Sequence, residues 1–533
     1  MKYTLLTALV LLASTGNALA LDGQIGIHDP STVVVDNGKY YTYGTGGGAL
    51  VSDDGWTWRR GTTPPRTGLA PDVIHLGGRY YMYVATGFVQ PKAEIRVLWS
   101  KSLDPASPDY KWTQGGIVAN SDGVEDSNAI DPGVFHDPTT GRLWLVYGSY
   151  FGYIRLVELN PKTGERLNPK VPPINLAINC EASDMIYHDG WYYLLATHGS
   201  CCQGTNSGYN IRMGRSRKVT GPFLDAEGVD MIEGGGKLLI GSEGRFVGPG
   251  HFGLLDLGDG VQKFSMHWEA DLDRGGASVL DIRPLLWKDG WPIAGENAKE
   301  GTYELQSLRT GTALEMAVEG VQVGGAPVRR PRPAGAPRNG PGGAPGGPGA
   351  NGQAPGGPRP NGGGAPGGAR PAGGPGGPGG PGGPGGGGGM FAGNGGVIPS
   401  QDAAQVSSKW PAGNVDTRMA GYMTQAQQKW QITPVPDAGG YPGSPYFKIT
   451  VAGTGRTLAA TADAELVVLP SFTGSPEQLW RLDELADGSW RIMPKSDSNS
   501  KEPLALSAVG SSFATLSKFD PKSDEQHWLL KTP

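Results

Sequence analysis

The chain has 533 residues, too many for one ordinary domain, and its 50 acidic residues outnumber its 45 Lys and Arg. A net charge of −5 gives no electrostatic footing for nucleic-acid binding. Beyond the N-terminal leader no stretch is apolar for long enough to span a bilayer as a helix, which argues against a membrane-embedded class.

Residues 1–20 read as a secretory signal peptide. Lys2 supplies a basic start, Leu5 to Leu12 an apolar core, and Ala18-Leu19-Ala20 a small-x-small cleavage site. The expectation is a mature chain that begins near Leu21 and works in the periplasm or outside the cell.

Five similar segments follow, opening on Asp29, Asp72, Asp131, Glu181 and His251. Each opening residue precedes an apolar run, a turn rich in Gly, Asp or Asn, and a second run that is usually aromatic. This is the signature of a repeated β-hairpin. A spacing of roughly 40 to 70 residues suits propeller blades. The innermost strands of a propeller line one channel, so equivalent positions point into one space. Four carboxylates and an imidazole would converge there, which is costly unless used.

Three cysteines are present, Cys180, Cys201 and Cys202. Outside the cytosol the adjacent pair can close a vicinal bridge, or Cys180 can pair with either one; all three can also stay reduced. Their spacing matches no zinc pattern.

From Val328 to about Gly396 the sequence is nearly all Gly, Pro, Ala, Asn and Arg. Such a stretch cannot bury enough apolar surface to offset its ordering entropy, so it is expected to be disordered. Beyond it, Gln428 and Trp430, Gln478 and Trp480, and Gln526 and Trp528 form three Gln-x-Trp pairs, 50 and then 48 residues apart. An apolar strand precedes each pair: ALEMAV, TLAATA and PLALSA. Three such units close a β-trefoil, and the pairs resemble those of the ricin-type lectin domain. Because ALEMAV lies before the Gly/Pro tract and QQKWQI after it, the tract reads as an insertion in the first unit. The Asp that binds sugar in lectin members has one counterpart here, Asp463, so the trefoil is either a second glycan-binding module or a scaffold.

The N-terminal half resembles glycoside hydrolase family 43, and most closely its endo-α-1,5-arabinanases. The segments NAIDPGVF, WLVYGSYFGYIRLVEL, SCCQGTNSGYNIRMGRS, EGGGKLLIGSEGRFVGPGH and DIRPLLW carry the likeness. It implies an all-β chain: a five-bladed propeller over 21–297, then a trefoil over 298–533 interrupted at 328–396. It also implies a secreted enzyme that cleaves α-1,5-linked arabinan of plant pectin with inversion. Inversion needs two carboxyl groups, one ionised to activate water and one protonated to protonate the leaving oxygen. By this resemblance Asp29 is the general base, Glu181 the general acid, and Asp131 the third carboxylate, whose charge keeps Glu181 protonated. Asp72, Asn128, Ser149, Tyr150 and Phe151 would line the substrate pocket. His251 would help hold a calcium ion, largely through waters.

Two departures from the family pattern stand out. Leu69 occupies the place of a Trp before Ala-Pro-Asp, and Trp268-Glu269 replaces a small residue and Tyr. They leave the catalytic set intact but open the choice between endo and exo action. The alternatives are an exo-acting arabinofuranosidase, a related xylosidase or galactosidase, or a catalytically silent glycan-binding protein.

Overall fold

The computed structural model describes residues 21–87, 93–121, 129–150, 152–258, 260–318, 400–495 and 503–533. The leader at 1–20 and the whole Gly/Pro tract at 328–396 therefore lie outside the described residues.

Five antiparallel sheets stand around a channel as the blades of a propeller. Blade 1 holds Val34–Asp36, Lys39–Gly44, Gly48–Ser52 and Thr57–Arg60. Blade 2 runs from Leu69–Leu76 to Thr113–Asn120, blade 3 from Gly133–His136 to Ile174–Ile178, blade 4 from Glu181–His188 to Lys237–Ile240, and blade 5 from Phe246–Asp256 to Trp291–Ala294. The expected hairpins form for a local reason. Asn37-Gly38, Gly77-Gly78 and Asp189-Gly190 all take positive φ, the paired requirement of a two-residue turn that matches strand twist. Aromatic second strands then fill the gaps between blades: Tyr81, Tyr83 and Tyr147 share one buried cluster. The ring closes through the N-terminal segment. Asp22–Gly23 pairs with blade 1, while Leu280 of blade 5 donates its N–H to Ile25 O at 2.9 Å.

At the channel mouth the backbone repeats itself more strictly than the side chains do. There, apart from the hairpin turns, a non-glycine residue in or leading into each inner strand is left-handed: Asp29 (φ 50°), Ala70 (40°), Asp131 (52°), Ala182 (48°) and His251 (57°). Each such residue costs on the order of 1–3 kcal/mol and persists only where its surroundings enforce it. This corrects the expected register in two blades. The counterparts of Asp29 are Ala70 and Ala182, whereas Glu181 stands one residue earlier and Asp72 two residues later. Irregular pairing between Leu69 and Asp72, and between Glu181 and Asp184, sets the inner strands in that frame. Asp72 thus matches Asp184 of blade 4 and Gly133 of blade 3. At Gly133 a Cβ would stand 2.1 Å from Ser183 O, so close passage of blade 4 requires glycine there.

The second half is a β-trefoil whose three units share one internal pattern. Trp430, Trp480 and Trp528 are fully buried. Their Nε1 groups donate to Leu314 O (2.8 Å), Leu458 O (3.0 Å) and Leu506 O (2.9 Å), each in one of the three apolar strands read from the sequence. The glutamines act as clamps. Gln428, Gln478 and Gln526 donate to Gly421 O, Ser471 O and Lys518 O, and accept from the N–H groups of Met423, Thr473 and Asp520. Ala313–Met316 pairs directly with Val415–Ala420 in the first unit.

Propeller and trefoil are joined through buried polar groups. Lys263 is buried, and its ammonium donates to Pro442 O at 2.5 Å and Asn297 Oδ1 at 3.1 Å. It lies 3.9 Å from Asp483, which also binds Arg481 (2.6 Å) and Arg491 (2.7 Å). Backbone bonds from Trp287 N to Ala486 O (2.8 Å) and from Gly443 N to Gly55 O (3.1 Å) add to the seam.

Candidate active site

A cavity of about 480 Å³ opens at the channel mouth. Asp29, Asp131, Glu181, Ser149, Tyr150 and His251 all line it, so six of the residues expected from the sequence meet in one place. Asp72 does not. Its two oxygens accept the N–H groups of Thr32 and Val134, both at 2.9 Å, so it staples blades 1 and 3 deeper in the channel. Asn128 and Phe151 lie outside the described residues.

Asp29 sits in a dense web. Thr45 Oγ1 donates to its Oδ2 at 2.5 Å, and His28 Nδ1 lies 2.9 Å from the same oxygen. His251 Nδ1 is 3.2 Å from Oδ1. Burial alone would push the Asp29 carboxyl up; the charge that His251 gains in acid, and the hydrogen bond and charge of His28, outweigh it and hold Asp29 well below the usual carboxylate range. Burial drives His251 itself down to about 4, so near neutral pH it carries no charge. The standing cation beside Asp29 is therefore His28. Burial works against it, but Asp29 and Glu269 raise it to about 10. Glu269 Oε1 accepts from His28 Nε2 at 2.8 Å and is brought down to about 2: burial opposes this, and hydrogen bonds from His267 and His28 prevail. The result is a carboxylate–imidazolium–carboxylate line that keeps Asp29 ionised.

Glu181 has the opposite setting. Burial raises its carboxyl; hydrogen bonds from Tyr209 and Ser149 work against that rise, and the charges of Asp29 and Glu269 add to it. Ser149 Oγ donates to Oε2 at 2.8 Å, and the Tyr209 hydroxyl to Oε1. Asp131 is pushed well up by burial, then by Glu181 and Asp29, and it accepts Ala182 N–H at 3.3 Å. Asp131 was expected to keep Glu181 protonated by its charge; the charge of Glu181 in turn raises Asp131, so the two buried carboxyls affect each other's ionisation.

Sequence reasoning missed His28, Thr45, Tyr209, His267 and Glu269. His28 was adjacent to Asp29 in plain view, and Glu269 was visible only as a departure from the family pattern. Asp29, His251 and His267 bring ligand atoms within 4.8 Å of one another, so they are the group nearest to a metal site around Asp29 and His251. His267 Nδ1 accepts Asp29 N–H at 3.1 Å, so its proton sits on Nε2, facing Glu269 at 3.4 Å. Both ring nitrogens of His251, and Nε2 of His267, are buried without a hydrogen-bond partner among the described residues.

Carboxyls from separate blades, one pushed down and one pushed up and gathered in one cavity, supply what acid–base glycoside hydrolysis asks for. The model of glycosyl hydrolases family 43 matches residues 25–292, and that of the ricin-type β-trefoil lectin domain-like family matches 426–514. The chain belongs to glycosyl hydrolase family 43. It is 32% identical over 342 residues to the extracellular exo-α-(1→5)-L-arabinofuranosidase ArbA of Cellvibrio japonicus, covering 58% of this chain and 96% of that protein. It is also 32% identical over 292 residues to the extracellular endo-α-(1→5)-L-arabinanase 1 of Bacillus subtilis, covering 50% of this chain and 87% of that one.

Proposed function

We propose that this protein hydrolyses α-1,5-linked arabinan, with inversion, outside the cytoplasm. The observation that carries the reading is the opposed setting of Asp29 and Glu181 in one cavity, together with relatives named for arabinan chemistry. Asp29 takes a proton from water as that oxygen bonds to the anomeric carbon. Glu181 gives its proton to the glycosidic oxygen as the bond from that carbon breaks. Asp131 disfavours early loss of the Glu181 proton by adding a second carboxyl to the same buried volume. Ser149 and Tyr209 orient Glu181, and Tyr150 lines the approach. The signal peptide read at 1–20 and the extracellular names of both relatives support secretion.

The residues also fit a calcium ion held chiefly by water. His251 Nε2 is buried, unpartnered among the described residues and neutral near pH 7, so it offers a lone pair. An oxygen-seeking cation accepts one imidazole only with waters completing its shell. With His251 as its protein ligand, such an ion would supply positive charge near the carboxyl cluster.

Release of single arabinose units is a second reading, favoured by the exo-acting relative that this chain spans almost fully and by Leu69 at the cavity wall. Incubation with linear α-1,5-arabinan, with products resolved by length, tests both. Short oligosaccharides of several lengths mean endo action, and arabinose alone means exo action. No release from arabinan, with release from xylan or galactan, would overturn the reading.

A further inference from the structure

Cys201 and Cys202 are joined to each other in a vicinal disulfide, while Cys180 stays free and buried. Both bridged residues line the catalytic cavity, and a ring nitrogen of His28 lies within 4.8 Å of their sulfurs. Cys202 is exposed and Cys201 half-buried, so the sulfurs stand at the wall where a substrate enters. We infer that the Cys201–Cys202 disulfide is a substrate-contacting face of the pocket, against which one pentose ring packs beside the scissile bond.

The chemistry of the ligand asks for such a face. A furanose presents hydroxyls at its rim and C–H groups on its flanks, and pockets for such ligands pair a few polar groups with an apolar wall. The Tyr209 ring is buried with its hydroxyl on Glu181, and Tyr150 donates to Thr197 O at 3.2 Å. Leu69, in the place of a Trp, gives the cavity an aliphatic wall there. Two polarisable sulfurs, locked by the ring that their bond closes through one peptide, supply a rigid surface for C–H contact at little ordering cost.

The loop beneath is built to hold that face still. Gly199 has φ 103°, and a Cβ on it would stand 2.0 Å from Gly208 O, so glycine lets the base of the loop pinch shut. Ser207 Oγ donates to Ser200 O at 2.9 Å, and Gly208 N donates to Ser200 Oγ at 3.2 Å. Tyr209 N in turn donates to Ser207 Oγ at 3.2 Å, and Tyr209 holds Glu181. The sulfur face and the acid therefore share one frame. Cys180 is not a partner for exchange: it sits in an apolar cluster, and burial pushes its thiol up to about 12.

The inference rests on the arabinan reading, and the test separates the two. The oxidised enzyme is assayed on arabino-oligosaccharides of defined length beside a Cys201→Ala/Cys202→Ala variant and enzyme pretreated with dithiothreitol. In the reduction the dithiol gives up two electrons and two protons and becomes a disulfide, the Cys201–Cys202 bond breaks, and each sulfur takes one electron and one proton. Thiol titration confirms the state. The expected result is a KM raised roughly tenfold, equivalent to about 1.4 kcal/mol, with kcat within about twofold. Calorimetric affinity of a Glu181→Gln background for the same oligosaccharide should weaken equally when the disulfide is reduced. Unchanged KM and affinity in both altered forms overturn the inference. So does a fall in kcat at unchanged KM, which would mean the loop acts only through Tyr209. If the double variant fails to fold, the reduced wild type decides alone. If the oxidised wild type cleaves no arabino-oligosaccharide, the reading beneath fails instead.

Discussion

The propeller channel and the three Gln-x-Trp sites of the trefoil both bury polar groups, and they satisfy them in opposite ways. In the trefoil, three indole N–H groups and three glutamine amides each find a backbone carbonyl, unit after unit. In the channel, five residues sit at left-handed φ, three carboxyls crowd one cavity, and the ring nitrogens of His251 go without hydrogen bonds among the described residues. A saturated network stabilises its fold. An unsaturated, self-repelling one destabilises its fold and leaves groups ready to act on a substrate. Activity should therefore be lost from one region and stability from the other.

The largest effect is expected in the channel. Glu181→Gln should lower kcat by about 10²–10⁴-fold, the usual contribution of a general acid. Its thermal midpoint should hold or rise, since the amide removes a carboxyl that burial already disfavours ionising. Initial rates and calorimetry on the same preparation check both halves. A clear drop in midpoint would break the contrast between the two regions.

In the trefoil the pattern reverses. Trp480→Ala should cost about 3–5 kcal/mol in urea unfolding, because it opens a cavity and leaves Leu458 O without its donor. The kcat of the folded fraction should stay near wild type. A loss under about 1 kcal/mol would mean the core is less saturated than its geometry indicates.

Two smaller changes sharpen the account of the acid and have opposite signs. The last proton leaves the Asp131–Glu181 pair late because a second charge would repel the first. Asp131→Asn removes that repulsion, so the alkaline limb of the pH–rate profile should move down. Tyr209 donates to Glu181 and so favours its ionised form. Tyr209→Phe should then move the limb up, by less. Shifts of the same sign in both variants would disprove the coupled-pair description.

Local signals in the sequence carried much of this. Asn37-Gly38 and its counterparts marked hairpins because their conformations follow from residue type. The Gln-x-Trp pairs marked the trefoil because two nearly equal spacings, 50 and 48 residues, imply three similar units. Asp29, Asp131 and Glu181 were legible as convergent for the same reason. The equivalence of Ala70 and Ala182 with Asp29 was not, since irregular strand pairing leaves no fixed residue signature. Nor was the His28–Glu269 contact, which joins residues 241 apart and exists only once blade 5 closes on blade 1. The cysteine pairing stayed open because three thiols allow several outcomes and only a loop geometry chooses among them.

The seam around Lys263 bears on how the chain can be cut. With Pro442 and Asp483 gone, the Lys263 ammonium would lose a carbonyl and a carboxylate while its buried surroundings were torn open. Trp287 N–H and the Asp54 carboxylate, which accepts Gly440 N–H at 2.9 Å, would lose their partners too. The C-terminal half is thus a wall of the propeller and not a cartridge to be unplugged. A protease that nicks the chain between Met316 and Val415 leaves both pieces held by this seam, and the nicked protein should still run as one particle on a sizing column.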